Sequence, residues 1–124
     1  MKNLILLLIA SIGFSQPSLA QIEFRITGHL IARKGVKPNH TMIKPTSGSV
    51  SIDAVSMILS IYTPKRGARE YVIDKIERNN TSYIYRCEDA DGELVDILLQ
   101  AGTGQSIILV SRRNSNIQHI YFVT

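Results

Sequence analysis

From Ser49 to Thr124 the chain alternates apolar and polar residues in short runs, each closed by turn formers, and few architectures accept that pattern. Successive side chains of an extended chain point to opposite faces, so a period of two marks a strand with one buried face. The runs are Ser49 to Ala54, Ser56 to Tyr62, Arg69 to Arg78, Thr81 to Glu88, Leu94 to Gln100, Gln105 to Ser111 and Ile117 to Thr124. Between them stand Thr63-Pro64-Lys65-Arg66-Gly67, Asn79-Asn80, Asp91-Gly92, Gly102-Thr103-Gly104 and Asn114-Ser115-Asn116. Proline presets φ for a turn, while Gly and Asn accept positive φ, so each separator predicts a reversal.

The same alternation opens at Gln21, with Ile22, Phe24 and Ile26 on one face and Glu23, Arg25 and Thr27 on the other. Residues 28 to 48 then lose the period and collect Gly28, Gly35, Pro38, Asn39, Pro45 and Gly48. This predicts a long loop over 28–48, with a short extended piece at Leu30 to Ala32. Asp53 to Tyr62 is ambiguous, since Ala54, Met57, Ile58 and Ile61 also suit one face of a helix. The β-branched and aromatic residues Val55, Ile58, Ile61 and Tyr62 favour strand.

The expected fold is mostly β: an antiparallel up-and-down meander forming a small barrel of about eight strands, with a two-sheet sandwich as the alternative. Short links favour the meander, and closure removes the edges that invite pairing with other chains. Tyr83, Tyr85 and Cys87 fall on one face, as do Val95, Ile97 and Leu99, and Val50 and Ile52; these are the expected core positions.

The N-terminus reads as an export leader. Lys2 provides a positive start, Leu4 to Ala10 an uncharged apolar run, and Ser18-Leu19-Ala20 the small residues that signal peptidase selects. Gly13-Phe14-Ser15 offers a competing cut before Gln16. Ser11, Gly13, Ser15, Gln16 and Pro17 break the apolar run before it reaches the ~20 residues a spanning helix needs. The expectation is therefore a signal peptide at 1–20, removed, and a single β domain at 21–124, secreted or periplasmic, with no transmembrane segment after cleavage. Removal costs only Lys2 of the 14 basic residues and none of the 10 acids, leaving 104 residues of net charge +3. Cys87 is the only cysteine, so packing alone must hold the domain. It is also too far from the cleavage site to carry a lipid.

No motif in the sequence carries a recognisable chemistry. Glu88-Asp89-Ala90-Asp91-Gly92-Glu93 gathers oxygen ligands around a glycine, but Leu94-Val95 interrupts the spacing of a Ca²⁺ loop, and a hairpin tip explains the run. His29, His40 and His119 lack the close spacing that presents two metal ligands together; His29 and His40 read as solvated loop residues. Cys87 alternates with Tyr83 and Tyr85, which predicts a buried, inert thiol rather than a nucleophile. Asp74, Glu77, Asp89 and Asp96 supply carboxylates without any sign of a catalytic pair, and neither a serine elbow nor a phosphate loop is present. No cofactor, metal or catalytic residue is assigned.

Charge, by contrast, is organised. In a meander alternate tips share an end, which places the tips at 63–68, 89–93 and 112–116 together. They carry Lys65, Arg66 and the adjoining Arg69, then Asp89, Asp91 and Glu93, then Arg112 and Arg113. Asn79-Asn80 and Ala101 to Gly104 mark the other, neutral end. If the break near Val55 is a true reversal, Arg33, Lys34, Lys37 and Lys44 join the charged end. The chain thus reads as a non-enzymatic binding module for an anionic envelope or extracellular partner, held by Lys65, Arg66, Arg69, Arg112 and Arg113. That partner is an anionic glycan, a lipid headgroup or another envelope protein; nucleic acid is not expected, because aromatic platforms and an Arg-rich stripe are missing. Two other readings stay open: a small barrel holding an apolar molecule between Tyr83, Tyr85 and the inward aliphatics, and a hydrolase in which His119 meets acidic residues.

Overall fold

The computed structural model describes residues 21–35, 43–102 and 105–124. They form nine strands: β1 (Gln21–Arg33), β2 (Lys44–Pro45), β3 (Ser49–Asp53), β4 (Ile58–Thr63), β5 (Gly67–Arg78), β6 (Ser82–Glu88), β7 (Leu94–Gln100), β8 (Ser106–Arg112) and β9 (Ile117–Val123). From β3 to β9 each strand pairs antiparallel with the next, and β1 closes the ring. Its first half, Gln21 to Arg25, pairs with β3; its second half, Ile26 to Arg33, pairs with β9. The result is a closed eight-stranded antiparallel barrel of meander order. No helix among the described residues is long and apolar enough to cross a membrane.

The barrel interior is packed. Ile26, Val50, Ile52, Leu59, Ile97, Ile108 and Val123 are almost wholly buried, and Tyr71, Tyr85, Cys87 and Tyr121 belong to the same cluster. Burying one such aliphatic side chain contributes about 1.5–3 kcal/mol, and the absence of a disulfide makes this the principal source of stability. The expected inward set (Val50, Ile52, Tyr85, Cys87, Val95, Ile97 and Leu99) is buried, with Tyr83 packed against it.

The loop expected over 28–48 begins later than the sequence suggested. β1 continues to Arg33, takes in the extended piece at Leu30 to Ala32, and turns only at Lys34-Gly35. The lost period has a specific cause. The register shifts between Ile26, opposite Val123, and Gly28, opposite Phe122, so Thr27 is an extra residue in a bulge. A bulge inverts the phase of everything after it. Gly28 is needed here for room rather than for turning, since a Cβ would lie 3.0 Å from Ile43 Cγ2 and 3.5 Å from a Phe122 ring carbon. A second bulge between Ile73 and Lys75 keeps Ile73 and Ile76 both facing in.

Asp53 to Tyr62 contains no helix. Asp53 Oδ1 accepts hydrogen bonds from the amides of Val55 (2.9 Å) and Ser56 (3.2 Å), and Met57 takes φ = 60°. This local carboxylate-to-amide bonding makes a turn out of a stretch whose apolar spacing also suits a helix. The chain reverses, β4 begins at Ile58, and β1 therefore ends beside the tips at 64–66, 89–93 and 113–116. Lys34 confirms the placement by donating from Nζ to the carbonyl of Arg112 at 2.6 Å. Lys37, His40, Thr103 and Gly104, and the leader at 1–20, lie outside the described residues.

Candidate functional site

At this end of the barrel the inward positions change from apolar to polar. One step beyond the core on β5, Arg69 continues the face of Tyr71 and Ile73 and pairs across to Ile61. On β8, Arg112 continues the face of Ile108 and Val110, opposite Val95. On β9, His119 follows Val123 and Tyr121. Arg66 comes from the β4–β5 turn, where its amide donates to Thr63 Oγ1 at 3.3 Å. Arginines therefore occupy positions that, by strand phase, belong to the core.

The Thr27 bulge places His29 among them. Without it, alternation from Ile22, Phe24 and Ile26 would put Gly28 and Leu30 inside and His29 outside; with it, His29 faces in opposite Tyr121. His29 is thus half-buried in β1, not solvated in a loop as its sequence context implied. Its ring stacks on Tyr121 at 4.6 Å and 5°, and lies edge to edge and nearly coplanar with His119, the centroids 5.2 Å apart and the planes 13° from parallel.

The hydrogen bonds define the protonation of this cluster. Arg66 Nη1 lies 3.1 Å from His119 Nδ1 and 3.1 Å from the Tyr121 hydroxyl oxygen. A guanidinium only donates, so His119 Nδ1 accepts and its proton resides on Nε2. His29 Nε2 lies 3.0 Å from the same Nδ1 and is therefore protonated. Both imidazoles are neutral. Burial, then Arg66, lowers His29 below its usual value, with smaller effects from Lys65 and Lys44. His119 is pushed down to about 4 by burial and by Arg66, His29, Arg69 and Arg112. Burial is the first cause of both shifts and the neighbouring cations the second, and both disfavour an added proton here.

Two adjoining cavities open here. The larger, about 590 Å³, lies between β1, β2 and the β4–β5 turn, and His29, Lys44, Lys65, Arg66 and His119 give its polar lining. The smaller, about 300 Å³, is lined by Arg66, Arg69, Tyr71, Arg112, Ser115 and His119. Arg66 and His119 belong to both, and no aspartate or glutamate lines either. Carboxylates are close by: Glu70, Asp89 and Asp91 join Arg69 and Arg112 in an adjoining recess of about 190 Å³, Asp89 Oδ2 is buried 3.2 Å from Arg112 Nη2 in an ion contact without a hydrogen bond, and Glu93 adds a contact to Arg112 at 3.4 Å. Arg69 Nε is buried with no hydrogen-bond partner. A buried donor without an acceptor costs about 1–3 kcal/mol, which an anion in the cavity would recover.

Of the five residues singled out from sequence, Lys65, Arg66, Arg69 and Arg112 converge on this mouth. Arg113 does not. Its amide bonds to the carbonyl of Leu94, while its guanidinium sits 3.3 Å from Asp96 on the outer face. There Asp96 and Glu77 flank Arg86 at 3.1 and 3.0 Å. Burial tends to raise Asp96, but the bonds from Arg113 and Arg86 outweigh it and hold the carboxyl below its ordinary range. Asp89 serves the hairpin: its Oδ1 accepts from the amides of Asp91 and Glu93, each at 2.9 Å, and Gly92 takes φ = 80°. Among the described residues no three His, Cys, Asp or Glu side chains are grouped to hold a metal. Burial pushes the Cys87 thiol up to about 12, far from a reactive thiolate.

Sequence reasoning missed His29, His119 and Tyr121 as members of one cluster. His29 and His119 are distant in the chain and become neighbours only because the first strand pairs with the last. Comparison with known proteins adds no relative: no protein-family model, no curated protein and no solved structure matches this chain.

Proposed function

We propose that this chain is an exported, non-enzymatic binding module whose barrel mouth holds the anionic group of a partner through Arg66, Arg69 and Arg112, with Lys65 at the rim. One observation carries the reading: Arg69 and Arg112 at inward strand positions and Arg66 on the adjoining turn surround two cavities that no carboxylate lines, although Arg112 also pairs with Asp89 at its edge. Like charges gathered in a partly desolvated recess repel one another, and a bound anion offsets that repulsion. Arginine suits the task because its planar fork meets phosphate, sulfate or carboxylate oxygens two at a time.

A hydrolytic reading needs an acid near His119, and the carboxylates at hand are committed elsewhere, Asp89 to Arg112 and to the hairpin amides, Glu77 and Asp96 to Arg86. A ligand held between Tyr83, Tyr85 and the aliphatics would have to displace side chains that already fill the interior.

The test is thermal unfolding of the purified chain with inorganic phosphate or sulfate at constant ionic strength. A ligand at 100 times its Kd stabilises by about 2.7 kcal/mol, which raises Tm by several degrees. The shift should shrink in added NaCl and vanish in Arg66→Gln/Arg69→Gln. An equal rise for wild type and this variant would refute the reading.

A further inference from the structure

The mouth carries bare apolar surface among its cations, and this narrows what it holds; the inference rests on the anion reading above. Ile31 and Ile117 occupy the inward phase of β1 and β9, the phase that deeper in the barrel supplies the core, yet they are 53% and 49% exposed. Ile31, with Leu30 and Pro45, walls the larger cavity; Ile117 walls the smaller. The arginines come from β5, β8 and the β4–β5 turn, and Arg112, one step past the β8–β9 pair of Ser111 and Gln118, stands beside Ile117 in the smaller cavity. Large aliphatic groups left bare beside converging cations are the surface an amphipathic ligand covers. We infer that the ligand is an amphipathic anion, its phosphate, sulfate or carboxylate head held by Arg66, Arg69 and Arg112 and its apolar chain or ring laid against Ile31, Ile117 and Pro45. A highly sulfated glycan would leave the isoleucine side facing water.

Calorimetric titration of the full chain with alkyl phosphates from methyl to octyl, each below its micelle concentration, tests this. Affinity should rise by up to about fourfold per added methylene until the apolar wall is covered. Ile31→Ser/Ile117→Ser should flatten that series, so that in the variant octyl phosphate binds little better than methyl phosphate, and circular dichroism with urea unfolding checks that the variant keeps the barrel. Octanol should bind far more weakly than octyl phosphate. Co-sedimentation with phosphatidylcholine vesicles containing phosphatidic acid identifies the source: binding to vesicles as well as to octyl phosphate assigns a bilayer lipid, and binding to octyl phosphate alone assigns a dissolved amphiphile. Methyl phosphate binding as tightly as octyl phosphate would leave an anion site and overturn the amphipathic one. Octanol matching octyl phosphate would overturn the role of the head group. Binding of none of the phosphates would overturn both readings.

Discussion

His29 Nε2 and His119 Nδ1 meet at 3.0 Å across the seam where the first and last strands pair, with Arg66 directed at the same Nδ1. His29 Nε2–H and the Arg66 guanidinium both donate to that single lone pair, and protonation of either imidazole would place a new cation against Arg66.

Stability therefore depends on pH in a defined window. His119 titrates at its ordinary 6.5 when unfolded and at about 4 when folded, so between those values the unfolded chain binds the extra proton. The stabilising effect is complete above 6.5 and is lost as pH falls towards 4. At about 1.4 kcal/mol per pH unit the ceiling is about 3 kcal/mol, and solvent screening at this half-buried site lowers it. Urea unfolding at pH 7 and pH 4.5 should show the loss in wild type and a smaller one in His119→Gln.

Anion binding should have the opposite pH dependence. A bound anion favours the imidazolium form of His119, so binding takes up protons, and affinity for phosphate or sulfate rises as pH falls from 7.5 to 5. Sulfate is the cleaner probe, because its own charge is constant over that range. Calorimetry in buffers of different ionisation enthalpy should detect the proton uptake, and His119→Gln should reduce it to the part that His29 contributes.

Arg69 and Arg113 should behave differently although both were chosen by charge and position. Arg69→Ser removes a donor from the mouth and should weaken sulfate binding about tenfold, a loss of about 1.4 kcal/mol. Arg113→Ser breaks an exposed ion pair with Asp96, should leave the affinity unchanged, and should cost less than about 1 kcal/mol of stability. Paired binding and urea measurements on the two variants check both.

Gly48→Ala should fail to fold stably. Gly48 adopts φ = 148°, and a Cβ there would lie 2.0 Å from the carbonyl oxygen of Tyr62, a backbone atom that cannot move without parting β3 from β4. The expected loss is about 3 kcal/mol or more, visible as a lowered urea midpoint or as insoluble product.

Cys87 should resist alkylation in the native state. Its sulfur is buried and donates to the Tyr85 carbonyl at 3.5 Å, and the thiol is pushed up to about 12. Mass spectrometry after iodoacetamide at pH 8 should find no modification until urea unfolds the barrel.

The meander from Ser49 onward was legible because each strand carries its own evidence: alternation such as Val95, Ile97 and Leu99, closed by a residue such as Gly92 whose backbone freedom the turn uses. The charged mouth was legible for the same reason, since tip positions follow from strand order alone. The second half of β1 was not. A bulge at Thr27 breaks the period that would have revealed it, and Gly28, there to make room for Ile43 and Phe122, reads in sequence as a turn. Losing that half-strand hid His29, because its neighbours His119 and Tyr121 come from the other end of the chain. Arg113 lies apart from the other four because one residue of strand phase decides between mouth and outer wall, and Arg112 holds the inward position.

The ring closure also sets an order of events. Ile26 pairs with Val123, so the second half of β1, unlike the half that pairs with β3, has its ladder completed only by the last strand. Contacts so distant in sequence slow folding, and until they form, β1 and β9 are open edges with unpaired amides and carbonyls. The two rows of partners that finish the barrel are the same rows that would recruit another copy of the chain, and loss of the last strand alone would leave a sheet inclined to assemble with itself.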